Sequence, residues 1–326
     1  MTLELLAIAG GLLVLMASAS WFVEGAAATA SHAGMSPLLI GMLIVGFGTS
    51  APEIVVSVQS ALDGTPALAL GNAMGSNVAN IGLILGLVAL LKPISVESKV
   101  LRQELPFLLL VTGLLGWMLH SGTLSRLDGL LLLGVFGAFL GWSVYASSKL
   151  RTVDALGLEV REEITSRLLP LRQALLKLSV GLMLLIVSAR FLVWGAVGVA
   201  TGLGVSELVI GLTVVAVGTS LPELAASLVA VRKNEHEIAL GNVLGSNLFN
   251  SLVVVGLAGS IAPVPVSPAV LDRDLPTMLV MTVALLVFGY RRGGGGRINR
   301  FEGAALLAGY LAYLGWLTAK AVEAVS

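Results

Sequence analysis

Long apolar runs alternate with short polar segments along almost the whole chain. A helix needs about 20 mainly apolar residues to cross a bilayer, and ten runs of roughly that length can be placed. They are Leu3–Ala30, Pro37–Leu62, Ala67–Leu91, Leu105–His120, Leu127–Ser147, Leu178–Thr201, Leu208–Val231, Ile238–Ile261, Pro276–Tyr290 and Phe301–Ala321. The pattern predicts an all-α integral membrane protein with ten transmembrane helices.

The second group of five runs is a copy of the first. GTSAPE at 48–53 returns as GTSLPE at 218–223, and GNAMGSNVAN at 71–80 returns as GNVLGSNLFN at 241–250, always 170 positions later. Five crossings are an odd number, so the second copy has to enter the membrane from the opposite side. Two inverted five-helix repeats are therefore expected, an architecture that recurs in secondary transporters.

The distribution of charge supports this inversion and orients the chain. If the N-terminus lies outside, most of the 19 Lys and Arg residues fall in inner loops, as the positive-inside rule requires. Both termini are then expected outside. The charged segment 149–177 is predicted to be an inner linker between a first repeat, 1–148, and a second repeat, 178–326.

Composition places the chain in the membrane and excludes several classes of chemistry. Hydrophobic residues make up 56% of the chain, charged residues 12%, and the formal net charge is zero; the mean hydropathy is +0.97. The chain has no Cys, which excludes disulfides, thiol catalysis and Cys-ligated metals. Its first residues lack the basic segment of a cleaved signal peptide. A lipid bilayer is the expected partner, with no nucleic acid and no obligate protein partner.

The repeated GTSxPE motif combines a helix break with a carboxylate. Pro52 has no backbone N–H and its ring displaces the carbonyl of Gly48, so we expect a broken helix with carbonyls released around Gly46 to Thr49. Glu53 and Ser50 lie three residues apart and share a helix face. Since a lone charge at bilayer depth costs ~3 kcal/mol or more, an acid here indicates a functional site.

The third helix of each repeat supplies a second polar wall. Ser76 and Asn80 are four residues apart on one face, and Ser246 and Asn250 repeat this spacing. Facing half-sites would bring Glu53 and Glu223 together at the midplane, where a divalent cation or a proton relieves their repulsion. Carboxylate, hydroxyl and carbonyl oxygens are ligands of hard cations such as Ca²⁺.

Two further charges lie within predicted helices. Glu24 and Arg190 belong to the first and sixth helices, at depths that differ by roughly 12 Å at a rise of 1.5 Å per residue. They are therefore expected to have separate partners or to extend toward the interface.

Taken together, the doubled GTSxPE and GNxxGSNxxN motifs resemble the α-repeats of the sodium/calcium exchanger family. The resemblance implies Na⁺-driven Ca²⁺ antiport, in which the first and sixth helices slide across the rest. It implies Ca²⁺ ligands at Glu53, Glu223 and the Thr49 and Thr219 carbonyls. It implies Na⁺ ligands at Ser50, Ser76, Ser220, Ser246 and carbonyls near Gly46 and Ala216. No resident cofactor and no catalytic residue is implied.

One departure and three alternatives accompany this interpretation. Many microbial relatives carry Asp at the position of Asn250, so the pocket here holds two formal negative charges rather than three, which leaves ion stoichiometry and K⁺ dependence open. H⁺/Ca²⁺ exchange through the same carboxylates is the main alternative. A membrane metalloenzyme is disfavoured because no nucleophile–base pair accompanies the acids; a channel is the third alternative. The short linker suits a prokaryotic inner membrane.

Overall fold

The computed structural model describes residues 2–33, 35–96, 100–150, 169–203, 216–290 and 296–323. Within these ranges the chain is almost entirely helical. Five helices are long and apolar enough to cross a membrane, or six if the bent pair Leu38–Thr49 and Ala51–Leu62 counts as one span. The structure thus shows a helical membrane protein.

The first half of the chain is helical over most of the predicted apolar runs, with short π-helical segments that its sequence did not indicate. Its α-helices are α1 (Thr2–Ala33), α2 (Pro37–Ile40), α3 (Gly46–Thr49), α4 (Ala51–Leu62), α5 (Pro66–Ala79), α6 (Gly86–Leu91), α7 (Leu105–Leu119) and α8 (Arg126–Leu150). The π segments are Gly41–Val45, Asn80–Leu85 and Val100–Glu104, and the strands are β1 (Ile94–Val96) and β2 (Thr123–Leu124).

The second half repeats this order. Its helices are α9 (Leu171–Gly202), α10 (Ala216–Thr219), α11 (Leu221–Arg232), α12 (His236–Leu248), α13 (Val255–Ile261), α14 (Leu275–Gly289) and α15 (Arg300–Glu323). The π segments are Phe249–Val254 and Val270–Asp274, and the strands are β3 (Val264–Pro265) and β4 (Gly296–Ile298). Several elements, α11 and α14 among them, follow their counterparts by 170 positions.

The predicted linker and the predicted run 208–231 are only partly covered by the described residues. Helix α9 begins at Leu171 after Pro170, so the last part of the predicted linker 149–177 is helical; a proline just before the first turn costs the helix no hydrogen bond. Residues 151–168, most of that linker, lie outside the described residues. The beginning of the predicted run 208–231 also lies outside them, up to residue 215.

Helices α1 and α9, which correspond in the repeat, pack against each other in opposite directions along their whole length. A Cβ built on Gly25 would meet Ala174 and Leu178 near one end of the pair, and one built on Gly195 would meet Glu4 near the other. Each helix contacts its partner far more extensively than any other described element. The pair therefore forms a unit of its own beside the remaining helices.

At one end of this unit, Glu24 joins it to the rest of the protein. Its carboxylate accepts from Lys177 of α9 at 2.7 Å and from Lys233, after α11, at 2.5 Å. Lys233 also donates to the Ser20 carbonyl at 3.3 Å. The expectation that Glu24 and Arg190 have separate partners is confirmed for Glu24.

The remaining contacts cross between the halves in symmetric pairs. Strand β1 pairs with β4, and β3, the counterpart of β1, pairs with β2. Helix α6 packs on α15 of the other half, and α13, the counterpart of α6, packs on α8. Exchanges of this kind are what a two-fold relation between two halves produces, so neither half is packed as a self-contained unit.

Small residues bring α12 against the helix formed by α2, the π segment and α3. A Cβ on Gly241 would meet the backbone of Leu38 and Gly41, and one on Gly245 would meet the backbone of Met42. Gly71 and Gly75, the equivalent residues of the first half, have no described atom within 4 Å of a built Cβ, so the packing role belongs to the second half. This close approach is what small residues permit in membrane helices, and it sets the third-helix wall of one half against the break of the other.

Candidate cation site

The two motif helices are broken at equivalent residues. Ser50 has φ −84° and ψ 4°, and Ser220 has φ −90° and ψ 6°, outside the helical region. The first pair of helices bends by 48° there. Pro52 and Pro222 lie in the first turn after each break, where proline is tolerated because that N–H has no helical acceptor. The predicted helix break is confirmed in both halves.

The released carbonyls differ from the expectation. The Gly46 carbonyl accepts the Ser50 N–H at 3.0 Å, so the prediction that it is freed from amides is wrong. The reason is that proline removes the donor opposite Gly48, two residues later. In the second half the Ser220 N–H donates to Val217 at 3.1 Å instead. Ala216 begins α10, and its side chain lies outside the described atoms.

The two motif carboxylates are buried together where the breaks meet. Glu53 and Glu223 are each 2% exposed. Ser50 Oγ of the first half donates to Glu223 Oε1 of the second at 3.4 Å. The acid of one half therefore lies against the break of the other half.

Several oxygen atoms in this region have no hydrogen-bond donor among the described residues. They are one carboxylate oxygen of each acid, Glu53 Oε2 and Glu223 Oε2, with Asn77 Oδ1, Asn80 Oδ1, Asn250 Oδ1 and Ser220 Oγ. A buried polar atom without a partner costs free energy, and nearly all such atoms in proteins are paired. Acceptors predominate among the unpaired buried atoms of the two motifs; the exceptions are the Ser220 hydroxyl, which can also donate, and Asn72 Nδ2, a donor that likewise lacks a partner among the described residues.

The polar residues of the third predicted span of each half, which begins with α5 in the first half and with α12 in the second, complete the wall. Ser76, Asn80, Ser246 and Asn250 are all buried. A π segment begins at Asn80 in the first half and at Phe249, beside Asn250, in the second. Such segments insert an extra residue into a helical turn and occur often at functional sites. They change the register of each helix at its site asparagine.

The motif threonines take different roles. Thr49 is fully buried, and its hydroxyl bonds Val45 O and Asn242 Oδ1, both at 3.1 Å. Thr219 is only partly buried. Ten of the twelve predicted ligand positions have described side chains; Gly46 has none, and that of Ala216 is not described. Nine of the ten are buried, Thr219 being the exception, and Ser50 bonds Glu223 directly.

Two amides that support this cluster, those of Asn242 and Asn247, were not among the residues predicted from the sequence. Asn242 Nδ2 donates to the Glu223 carbonyl at 3.1 Å and to Ser227 Oγ at 2.9 Å. Asn77, Asn80 and Asn247 form a second set between the two third helices. The signal was their recurrence at the same offset in both copies of GNxxGSNxxN, which marks them as part of the repeated unit.

The arrangement is chemically suited to a hard cation. Two carboxylates, hydroxyls and amide oxygens are the ligand types of Ca²⁺ and similar ions. Among the described residues no group of three or more His, Cys, Asp or Glu residues is placed to bind a metal, as a nitrogen- or sulfur-rich transition-metal site would need.

Comparison with known proteins identifies this architecture. A family model described as "Sodium/calcium exchanger protein" matches residues 3–145 and 174–319. The chain is 46% identical to "Putative antiporter CaxA" of Alkalimonas amylolytica, covering 93% of this chain and 95% of that protein. It is 40% identical to "Inner membrane protein YrbG" of Escherichia coli K12, covering 96% and 97%.

Solved structures agree with the sequence relatives. The sodium-calcium exchanger NCX_Mj, soaked with zero Na⁺ and Ca²⁺, superposes with a TM-score of 0.82 at 30% identity, covering 97% of this chain and 99% of that one. "Sodium/calcium exchanger MaX1" of Methanosarcina acetivorans is 29% identical over 96% of this chain and 98% of its own. The chain therefore belongs to the sodium/calcium exchanger family of membrane transporters.

Proposed function

We propose that the protein is a secondary antiporter that exchanges Na⁺ for Ca²⁺ by alternating access, at a midplane site built on Glu53 and Glu223. The observation that carries this proposal is the joint burial of both acids, each with one oxygen lacking a donor among the described residues. Two adjacent buried carboxylates repel each other unless a cation or a proton lies between them. Family membership supports the choice of ions.

The proposed architecture is ten transmembrane helices in two inverted repeats, 1–148 and 178–326, joined by an inner linker at 149–177. The antiparallel packing of α1 and α9 supports inversion, because corresponding helices then cross in opposite directions. The reciprocal strand and helix pairings between the halves support a two-fold relation. The family model's two matched segments leave 146–173 between them.

The Ca²⁺ ion is proposed to bind the carboxylates of Glu53 and Glu223 and the Thr49 and Thr219 carbonyls. Flanking Na⁺ ions would use Ser50, Ser76, Ser220, Ser246 and the carbonyls near Gly46 and Ala216. The amide oxygens of Asn80 and Asn250 are proposed to face the central ion. Ca²⁺ takes six to eight oxygen ligands, and the donor-free carboxylate and amide oxygens of this cluster are of the types that it binds. Asn250 adds a neutral oxygen, so one Ca²⁺ balances the two carboxylates.

The α1–α9 unit is proposed to move across the site. A Cβ on Gly48 would lie 2.9 Å from Leu182 of α9 and 3.4 Å from Phe22 of α1. On the other break, Gly218 faces Val193 of α9. The unit therefore covers both breaks, and α1 also packs on α11. Its displacement would expose the site first to one side of the membrane and then to the other.

Ion flux in reconstituted vesicles tests the proposal. With pH clamped, an outward Na⁺ gradient is expected to drive Ca²⁺ uptake, and replacing internal Na⁺ by choline is expected to abolish it. K⁺ is varied separately to establish its role. Uptake that needs a pH gradient and ignores Na⁺ would overturn Na⁺ coupling and establish the alternative, H⁺/Ca²⁺ exchange, in which protons replace the metal on the same carboxylates.

A prokaryotic inner membrane is the proposed location, with both termini outside. The printed name of the Escherichia coli relative places that protein in the inner membrane. The charge distribution of the loops supports the orientation.

A further inference from the structure

A chain of amide hydrogen bonds links the two third helices beside the candidate site. Asn80 Nδ2 donates to Asn247 Oδ1 at 3.0 Å, and Asn247 Nδ2 donates to the Asn77 backbone carbonyl at 3.4 Å. Asn77 Nδ2 continues the chain to Ser251 Oγ at 2.8 Å. All four residues are buried, with exposures of 1% or less.

The backbone carbonyl of Asn77 fixes the direction of the two amides before it, those of Asn247 and Asn80. A carbonyl can only accept, so Asn247 must turn its Nδ2 toward Asn77 and its Oδ1 toward Asn80. Asn80 must then present its own Nδ2 to that oxygen. Asn80 Oδ1 is consequently directed away from the chain of bonds, and it has no donor among the described residues.

We infer that Asn247 is a positioning residue for the cation site, because it locks the Asn80 amide with its oxygen toward the ion. The inference deepens the proposed function and rests on it. Without this hydrogen bond to Asn247, the Asn80 amide can turn over and point its NH₂ group at the cation. The cation then loses an oxygen ligand and meets a repulsive group. The π segment that begins at Asn80 places this amide at the point where the helix changes register.

Calcium titration of purified wild type and Asn247→Leu tests the lock. The leucine matches asparagine closely in size but cannot accept from Asn80. The Ca²⁺ concentration for half-saturation is expected to rise about tenfold, the factor that corresponds to one lost polar ligand interaction. The matched control is Thr112→Val, which removes a buried hydroxyl bonded only to its own helix at Leu108; half-saturation is expected to stay unchanged.

A double-mutant cycle separates positioning from a merely structural role. In an Asn80→Asp background, the side chain of residue 80 presents an oxygen to the cation in either orientation. It therefore needs no hydrogen bond to residue 247 to orient it. Asn247→Leu is then expected to change half-saturation less than about twofold. If the leucine variant fails to fold, Asn247→Ala enters the same cycle.

Equal weakening in both backgrounds, or no weakening in either, would overturn the inference while leaving the proposed function intact. A wild type that binds no Ca²⁺ would overturn both. Flux measured alongside binding distinguishes them further, since a positioning defect raises the half-saturating Ca²⁺ concentration and is overcome at high Ca²⁺.

Discussion

At the scale of single residues, Glu53 and Glu223 are the centre of the candidate site. Both are buried to the same extent in equivalent positions, and each retains an oxygen without a donor among the described residues. A structural acid in such a place would be expected to have satisfied oxygens. The unsatisfied oxygens therefore favour a role in ion binding over one in packing.

Neutralising either acid tests this role directly. In Glu53→Gln or Glu223→Gln, a neutral amide replaces a charged ligand, so Ca²⁺ uptake into vesicles is expected to be lost while the protein remains folded. Folding is checked by a monodisperse gel-filtration profile and an unchanged unfolding temperature. Near-normal uptake in either variant would contradict the site assignment. Gln59, exposed on the same helix as Glu53, provides a control as Gln59→Ala, which is expected to transport normally.

At the scale of elements, glycines decide how closely the two halves approach. A Cβ on Gly245 would lie 2.6 Å from Met42 Cα, which is nearer than a real Cβ can be to a backbone atom. Gly113 on α7 is exposed, and nothing described lies within 4 Å of a Cβ there. The same residue type therefore has a packing role at one position and none at the other.

Gly245→Ala is expected to destabilise the protein by about 1–3 kcal/mol, the usual cost of overpacking a tight contact. The backbones of α12 and the Gly41–Val45 segment would have to separate, which also disturbs the site. Thermal unfolding in detergent measures the effect. Gly113→Ala should leave the unfolding temperature unchanged or slightly higher, because alanine is the better helix former; a similar loss in both variants would contradict the packing argument.

A second prediction at this scale concerns the ionic contact between the α1–α9 unit and the rest. Lys233 crosses from the loop after α11 to Glu24 and Ser20 of α1, whereas Lys177 pairs with Glu24 within the unit. Lys233→Met should therefore loosen the unit, and Lys177→Met should not. Partly exposed ion pairs contribute little to stability, about 1 kcal/mol or less. The population in which the unit has loosened is therefore expected to rise only a fewfold.

Because the chain has no Cys, thiol labelling can measure this loosening. A single cysteine is introduced at Ser20, whose carbonyl accepts from Lys233. Its labelling rate is expected to rise about threefold in Lys233→Met and to stay at the parent value in Lys177→Met. Equal rates in all three proteins would show that the contact does not restrain the unit.

At the scale of the whole molecule, the distribution of charge predicts the orientation in the membrane. Positive charge in the loops predicts both termini outside. Inversion of the repeats requires the N-terminal ends of α1 and α9 to lie on opposite sides of the membrane. In intact cells, a cysteine at the exposed Thr2 is expected to react with an impermeant thiol reagent. A cysteine at the exposed Arg232 is expected to react only after permeabilisation. The reverse pattern would contradict the orientation.

The sequence alone was sufficient for the repeat, the helix breaks and the two acids. These follow from local chemistry: apolar runs of spanning length, a proline that cannot donate, and a costly acid kept twice at the same offset. Tertiary structure alone decided which half supports which acid, the π segments, and the amide chain through Asn247. These features depend on contacts between residues about 170 positions apart, and no local sequence pattern specifies the energy of such contacts.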